Sequence, residues 1–213
     1  MRAGIWFCIA LFAMASVFAG EGDMLKLPPP QTTGGMPLMQ ALATRHSARE
    51  FDSRALEPQQ LSNLLWAAFG VNRADTGKRT APSARNWREI DIYVALADGT
   101  YVYEPTANVL RRVLTRDIRA LTGVQDFVGS APLDLVYVAN RQKMEGASEA
   151  DKDHYAAADT GFIAQNVYLY CASVGLNTVV RGSVDRKALA AALQLSPQQQ
   201  IILAQTVGYP PKK

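Results

Sequence analysis

The chain has 213 residues, 48% of them hydrophobic, and its 22 lysines and arginines nearly balance its 19 aspartates and glutamates, which gives a net charge of +3. This near-balance excludes the strongly basic surface of a nucleic-acid-binding protein. The length fits one domain with a sizeable hydrophobic core.

The N-terminal segment has the pattern of a secretion signal. Arg2 precedes an apolar run over residues 4–18, and small residues lead up to a cleavage position before Gly20. The run is shorter than the ~20 residues that a transmembrane helix needs. We therefore predict a signal peptide over residues 1–19, export across the inner membrane to the periplasm, and one domain over residues 20–213.

The first half of the mature chain combines helices with a hairpin. A proline- and glycine-rich stretch over residues 26–37 is expected to be extended and to have no core of its own. Apolar spacing predicts a short helix over residues 37–44 and a clearer one over residues 57–70, with a proline in its first turn and a glycine at its end. Alternating apolar residues on both sides of an Asp-Gly turn predict a β-hairpin over residues 89–105.

The second half alternates helices and strands. Helices are predicted over residues 106–123, 148–175 and 185–195, and strands over residues 132–140, 176–182 and 199–210. Ser148 and Gly175 suit the two ends of the long helix, and Asp185 suits the start of the last one. A hairpin and separated strands with intervening helices indicate an α+β fold, in which helices cover a sheet.

Residues for hydrolytic or metal chemistry are scarce. Two histidines, His46 and His154, and the lack of an HExxH spacing predict that the chain has no metal site. Removal of the signal segment leaves Cys171 alone, so no internal disulfide forms, and its apolar surroundings predict a core position. The chain has no GxSxG, GxGxxG or Walker motif. Three aspartates near the start of the long helix are expected to be exposed rather than catalytic: Asp151, Asp153 and Asp159.

Residues 43–51, ATRHSAREF, concentrate cations and a hydroxyl group within a few positions. In one interpretation they are the solvated end of a helix, because cations are favoured at helix C-termini. In the other they form an anion site, in which guanidinium groups and a hydroxyl hold a phosphate. The cluster alone does not separate the two interpretations.

Several pieces of the sequence, taken in chain order, resemble the FMN-dependent nitroreductase family. They are LPPPQTTGG, ATRHSAREF, LSNLLWAAFGV, RTAPSA, GFIAQNVYLYCASVGLNTVVRG and TVGYPPKK. No single motif is strong, and the resemblance lies in their common order over nearly all of the mature chain. The order is most similar to the branch related to the azoline-oxidising dehydrogenases of peptide maturation.

The resemblance implies a nitroreductase-like α+β homodimer, with a central mixed or antiparallel sheet and one FMN at each end of the subunit interface. Arg45 and Ser47 would hold the flavin phosphate, Arg49 would face the N1/C2=O edge of the ring, and His46 between them is counted among the cofactor-binding residues. The resemblance implies that a loop of the partner subunit contacts the flavin through Pro82, Ser83 and Asn86. It places the backbone of Arg181, flanked by Val180 and Gly182, at flavin N5. The C-terminal cations Lys212 and Lys213 would close the phosphate site.

The expected activity is that of an exported FMN-dependent oxidoreductase, which passes electrons through flavin N5 to an electron-poor acceptor such as a nitroaromatic, a quinone or an unknown metabolite. The expected donor is NAD(P)H or, because nicotinamide nucleotides are scarce outside the cytoplasm, a redox partner. Two alternatives stay open: a non-catalytic binding subunit with the same fold, and an azoline dehydrogenase-like peptide-modifying protein. The Lys-Tyr pair of the azoline dehydrogenases is missing from residues 141–155.

Overall fold

The computed structural model describes residues 24–212. The expected signal peptide and Lys213 lie outside these residues, so cleavage before Gly20 stays a prediction. Among the described helices, none combines the length and the apolar composition required to cross a bilayer.

An antiparallel sheet forms the centre of the domain. The strands are β1 (Met24–Lys26), β2 (Val71–Arg73), β3 (Lys78–Arg79), β4 (Ile90–Leu96), β5 (Gly99–Glu104), β6 (Val109–Leu114), β7 (Leu133–Asn140), β8 (Asn177–Arg181) and β9 (Gln199–Gly208). Seven of them form one sheet in the order β1-β6-β5-β4-β7-β9-β8, whereas β2 and β3 form a small separate hairpin. Every neighbouring pair is antiparallel, so of the two expected sheet types the antiparallel one is present.

Within residues 24–212, α-helices cover both faces of the sheet. The helices are α1 (Leu38–Thr44), α2 (Pro58–Phe69), α3 (Glu149–Val174) and α4 (Arg186–Ala192). One short helix, α1, packs on α3 instead. Leu64 of α2 and Ile163 of α3 are buried in one core with Ile92 of β4. Tyr93, the next residue of β4, points to the other face and lies in a second core with Leu189 of α4. This alternation is the period of two expected for a strand that is buried on both faces, and it confirms the α+β fold.

The predicted helix ends are confirmed where local chemistry sets them. Pro58 occupies the first turn of α2, where its missing N–H costs no hydrogen bond. The Ser148 hydroxyl accepts a hydrogen bond from a backbone N–H in the first turn of α3, and the Asp185 carboxylate does the same at α4. Gly175 ends α3 with a left-handed φ of 73°.

The helix predicted over residues 106–123 is wrong. The chain turns back after β5, with Asn108 at a φ of 51°, and then forms strand β6 and a short 3-10 turn over Arg119–Leu121. The apolar pairs at 109–110 and 113–114 fit a helical period, but valine and leucine also suit a strand. Pairing with β5 on one side and β1 on the other decides in favour of the strand.

The proline-rich lead-in packs against the domain. Leu27 is buried in the same core as α2. The Ser62 hydroxyl and the Asn108 side-chain amide both donate to the carbonyl of Pro28. These contacts hold residues 27–29 over the start of α2, so the segment shares the core of the domain instead of building one.

Candidate functional site

The basic cluster over residues 45–49 lies beside strand β8, at one edge of the sheet. The backbone N–H of Ala48 donates to the carbonyl of Thr178 at 3.0 Å, and the Asn177 side-chain amide donates to the carbonyl of Glu50 at 2.8 Å. Arg45 follows directly after α1, and its N–H makes the last hydrogen bond of that helix. The cluster is therefore held from both sides, by a helix end and by an edge strand.

Tyr168 of α3 joins this cluster to the end of β8. Its hydroxyl lies 2.8 Å from the Ser47 hydroxyl and accepts a hydrogen bond from the Val180 backbone N–H at 2.9 Å. The Arg45 guanidinium lies over the Tyr168 ring, 5.1 Å from its centroid, in a cation–π contact. Sequence analysis missed Tyr168, since in an apolar helix it looks like one more core aromatic residue. The signal that could have identified it is its hydroxyl group, which a buried tyrosine usually bonds to a partner.

The cluster presents positive charge that the described residues do not neutralise. Arg45 is half-buried, and His46, Ser47 and Arg49 are exposed. Within residues 24–212, no ion pair involves Arg45 or Arg49. His46 Nδ1 lies 2.9 Å from the carbonyl of Thr44, so the imidazole is turned back on its own chain. Two free guanidinium groups beside a hydroxyl are the donor set that a phosphate requires.

The Arg181 side chain is structural. Its Nη2 lies 2.6 Å from Asp134 Oδ1, and its Nη1 donates to the carbonyl of Thr122 at 2.6 Å. A Cβ atom on Gly123 would lie only 1.8 Å from Nη1, so that glycine makes room for the guanidinium. Because this side chain is buried and its two terminal nitrogens are bonded inside the protein, Arg181 has only its backbone to offer a ligand. Val180, half-buried, and Gly182, exposed, flank it.

A second group of predicted residues forms the loop over residues 82–88, the Pro-Ser loop. The Ser83 hydroxyl accepts from the Arg88 N–H at 2.8 Å and donates to a Glu89 carboxyl oxygen at 3.1 Å. The Ala84 N–H donates to Asp159 Oδ2 at 2.8 Å. The expectation that Asp159 is exposed is wrong: it is buried, because this loop folds over it. Asp151 and Asp153 are exposed, as predicted.

The backbone of the Pro-Ser loop is strained. Arg85, Asn86 and Arg88 have φ values of 49°, 58° and 52°, a left-handed conformation that is uncommon outside glycine. Such strain persists only where the surroundings hold it, and it is often found at ligand sites. Pro82 and Asn86 are exposed at the outer side of the loop.

Two carboxyl groups beneath the loop share a buried environment. Glu89 and Asp159 are almost completely buried. Burial, with the nearby Asp159 as a further contribution, raises the pKa of Glu89 to about 7. One carboxylate oxygen of Glu89 has no hydrogen-bond partner within the described part of the chain. Glu89 thus tends to keep its proton up to near neutral pH, which limits the charge buried under the loop.

The two groups of predicted residues do not meet within one chain. The Pro-Ser loop contacts α3 at Asp159 and the basic cluster contacts it at Tyr168, which places the two contacts about 14 Å apart along the helix. Lys212 is exposed and Lys213 lies outside the described residues. Cys171 is a buried free cysteine, which confirms its core position. Across residues 24–212, no group of three His, Cys, Asp or Glu side chains is placed to hold a metal ion.

Comparison with known proteins gives consistent matches. A family model described as the nitroreductase family matches residues 42–209. A protein from Methanocaldococcus jannaschii assigned to the nitroreductases is 33% identical over 192 residues, which cover 85% of this chain and 96% of the relative. A crystal structure from Ralstonia eutropha JMP134, also assigned to the nitroreductases, has 48% identity and a TM-score of 0.86, with coverage of 90% of this chain and 91% of that one.

A more distant solved structure contains a bound ligand. It is a nitroreductase homologue from Desulfovibrio desulfuricans in complex with FMN, with 23% identity and a TM-score of 0.59. The match covers 83% of this chain and 88% of that chain. At this level of identity the likeness concerns the fold alone.

Proposed function

Because the chain belongs to the nitroreductase family, we propose that it is an FMN-dependent oxidoreductase that reduces an electron-poor small molecule. The observation that carries this proposal is the basic cluster over residues 45–49. Arg45 and Arg49 flank the Ser47 hydroxyl, and neither guanidinium is paired with a carboxylate of the described residues. The alternative interpretation, a solvated helix end, gives no reason for the Tyr168 hydroxyl to be tied to this cluster.

The residues present fit FMN. Arg45, supported by the Tyr168 ring, and the Ser47 hydroxyl offer the charge and the donor that a phosphate needs. Arg49 would place positive charge at the N1/C2=O edge of the ring, where it favours the reduced, anionic cofactor. The buried ion pair of the Arg181 side chain with Asp134 anchors the end of β8, where the resemblance places backbone at flavin N5.

In this mechanism the bound flavin supplies the two-electron chemistry, and the chain supplies orientation and field. The Tyr168 hydroxyl keeps the basic cluster and the end of β8 at a fixed separation, so that cations and backbone act on one ligand. The donor of the electrons would be NAD(P)H or a redox partner. The acceptor would be a nitroaromatic, a quinone or a metabolite of similar electron demand.

We propose further that the functional unit is a homodimer in which the Pro-Ser loop of one subunit contacts the flavin of the other. The separation of about 14 Å between the two groups along α3 supports this arrangement. A cavity of about 160 Å³ beside His46 and Tyr168 is smaller than the ~300 Å³ at which small-molecule pockets begin, so a single chain leaves the site incomplete. Leu38 and Met39 of α1 and Phe162 of α3 expose large apolar side chains that a partner would cover.

The decisive experiment compares Arg45→Ala with Arg49→Ala. Loss of Arg45 should weaken FMN binding by about ten- to a hundredfold (~1.5–3 kcal/mol) with little change in potential, because a phosphate contact is the same in both redox states. Loss of Arg49 should lower the two-electron potential by roughly 30–65 mV. Dithionite titration against a reference dye gives the potential, fluorescence titration gives FMN affinity, and Arg116→Ala, an exposed arginine, is the control.

Three outcomes would contradict parts of this proposal. If Arg49→Ala keeps the potential of the unmodified protein, the role given to Arg49 is wrong. Purified protein that is colourless and takes up no FMN would indicate the non-catalytic alternative. Light scattering that finds a flavin-loaded monomer would refute the dimer and, with it, the assignment of Pro82, Ser83 and Asn86 to a partner's flavin.

We propose that the protein acts outside the cytoplasm. The support is the pattern over residues 1–19, with Arg2 before an apolar run and small residues before Gly20. Intact mass of the protein from a periplasmic extract should correspond to a chain that begins at or near Gly20. Soluble cytoplasmic protein that retains Met1 would refute export, and the family assignment would be unaffected.

A further inference from the structure

The central sheet opens between two of its strands. The register that joins β4 and β5 runs from Tyr93 opposite Val102 to Leu96 opposite Gly99. Before Tyr93, β4 continues to pair with β7, and after Val102, β5 continues to pair with β6. The two strands therefore separate at this end of the sheet, and a cavity of about 390 Å³, the strand-gap cavity, lies where they diverge.

The lining of the strand-gap cavity carries excess positive charge. Four cations and two carboxylates line it: Arg79, Arg88, Arg111 and Lys143, with Asp91 and Glu104. Both carboxylates are already paired, since Lys143 Nζ lies 2.6 Å from Asp91 and Arg111 Nε lies 3.1 Å from Glu104. Arg79 and Arg88 take part in no ion pair among residues 24–212. The cavity thus holds two positive charges that the described residues do not balance.

The neighbours of Arg79 leave part of the hydrogen-bonding capacity of its guanidinium unused. Its guanidinium lies over the Phe69 ring, 5.0 Å from the centroid, and Nη1 donates to the Phe69 carbonyl at 3.1 Å. Its Nε is buried and has no hydrogen-bond partner in the described part of the chain. Burial and then the nearby Arg88 lower the pKa of Arg79. Two guanidinium groups that repel each other at a partly buried site would both be stabilised by an anion between them.

We propose that the strand-gap cavity binds a small dianion, a dicarboxylate or a phosphate monoester, between Arg79 and Arg88. Guanidinium groups bind carboxylate and phosphate oxygens in pairs, so two of them match a ligand with two negative charges. The volume of about 390 Å³ lies within the range of small-molecule pockets, ~300–1,000 Å³. The lining is mostly polar, which suits a small anion better than an apolar ligand.

This site is separate from the proposed flavin site. None of the residues predicted to hold FMN lines the strand-gap cavity. Arg88, the last residue of the Pro-Ser loop, lies next to the proposed flavin contacts of that loop, since its Nε donates to Asn86 Oδ1 at 3.1 Å. The anion site rests on its own charges and cavity, and it stands whether or not the protein uses FMN.

The test is calorimetric titration of the full protein saturated with FMN, so that the proposed phosphate site of the basic cluster is filled. Inorganic phosphate and succinate are the two probes, at constant sodium chloride because exposed charges are screened by salt. One probe should bind with one anion per chain, and Arg88→Gln should weaken that binding at least about tenfold. Tighter binding of inorganic phosphate would indicate a phosphate monoester as the ligand, and tighter binding of succinate would indicate a dicarboxylate.

Control variants make the result specific. Arg112→Gln removes a cation of β6 that bonds to the Asp98 carbonyl outside the cavity, and it should leave anion binding unchanged. Arg79→Gln should act like Arg88→Gln, and if it does not fold, Arg88→Gln alone decides. The proposal is overturned if neither probe binds at ~10 mM, if Arg88→Gln binds as the unmodified protein does, or if Arg45→Gln rather than Arg88→Gln abolishes phosphate binding.

Discussion

Replacement of Arg181 by methionine should be among the most destabilising single changes in this protein. Arg181 and Asp134 form a buried ion pair, with side chains that are 2% and 0% exposed. The Thr206 hydroxyl also donates to Asp134, and Thr122 accepts from Arg181. Burial raises the pKa of Asp134 to about 6, even though Arg181 lowers it. The attraction therefore does not fully offset the loss of hydration.

The magnitude follows from what each variant leaves behind. Arg181→Met leaves the Asp134 carboxylate buried without its cation, which should cost about 3–5 kcal/mol of unfolding free energy at pH 7. Replacing both residues with apolar side chains, as in Arg181→Met with Asp134→Leu, removes the stranded charge and should recover at least about half of that loss. Because the pKa of Asp134 rises further without Arg181, the single variant should be less impaired at pH 5, where the carboxyl takes up a proton in the folded state.

Urea denaturation followed by circular dichroism, at pH 7 and pH 5, measures these differences, with Arg116→Met as the matched exposed control. The reasoning is refuted if Arg181→Met costs less than about 1 kcal/mol at pH 7, or if the double variant is no more stable than the single one. A loss that is equal at both pH values would show that the stranded carboxylate is not its cause.

Three further predictions concern stability and pH. The pKa of Glu89 is raised to about 7 by burial and by Asp159, so the stabilisation of its protonated form is lost as pH rises from 4.5 through 7. Because of this group, the free energy of unfolding of the unmodified protein should fall by about 2 kcal/mol between pH 5 and pH 8. Urea denaturation at four pH values should show that the unfolding free energy of Glu89→Gln depends less on pH. Tyr168→Phe removes the hydroxyl that bonds to the Val180 N–H and should cost about 1–2 kcal/mol in thermal unfolding; an unchanged Tm would argue against that link. Gly123→Ala places a methyl group against the Arg181 guanidinium and should cost about 1–3 kcal/mol, and equal stability would contradict the close packing.

The order of most helices and strands was predictable because their signals are local. Pro58 and Gly70 mark the ends of α2, Ser148 and Gly175 mark those of α3, and the Asp-Gly turn marks the hairpin of β4 and β5. These residues act on backbone within a few positions of themselves. The resemblance to the nitroreductases likewise came from the order of pieces along the chain, and the family match over residues 42–209 confirms it.

What only the tertiary structure decided depends on partners that are distant in sequence. Residues 109–114 fit two periods, and they form a strand because β5 and β1 lie on both sides of them. Asp159 is buried because the Pro-Ser loop folds over it, and the N–H of Ala84, 75 residues earlier, donates to its carboxylate. Arg181 is structural because Asp134, 47 residues away, meets it in the core. No local pattern encodes such contacts, since each forms only when the sheet and α3 bring separate segments together and exclude water from their polar groups.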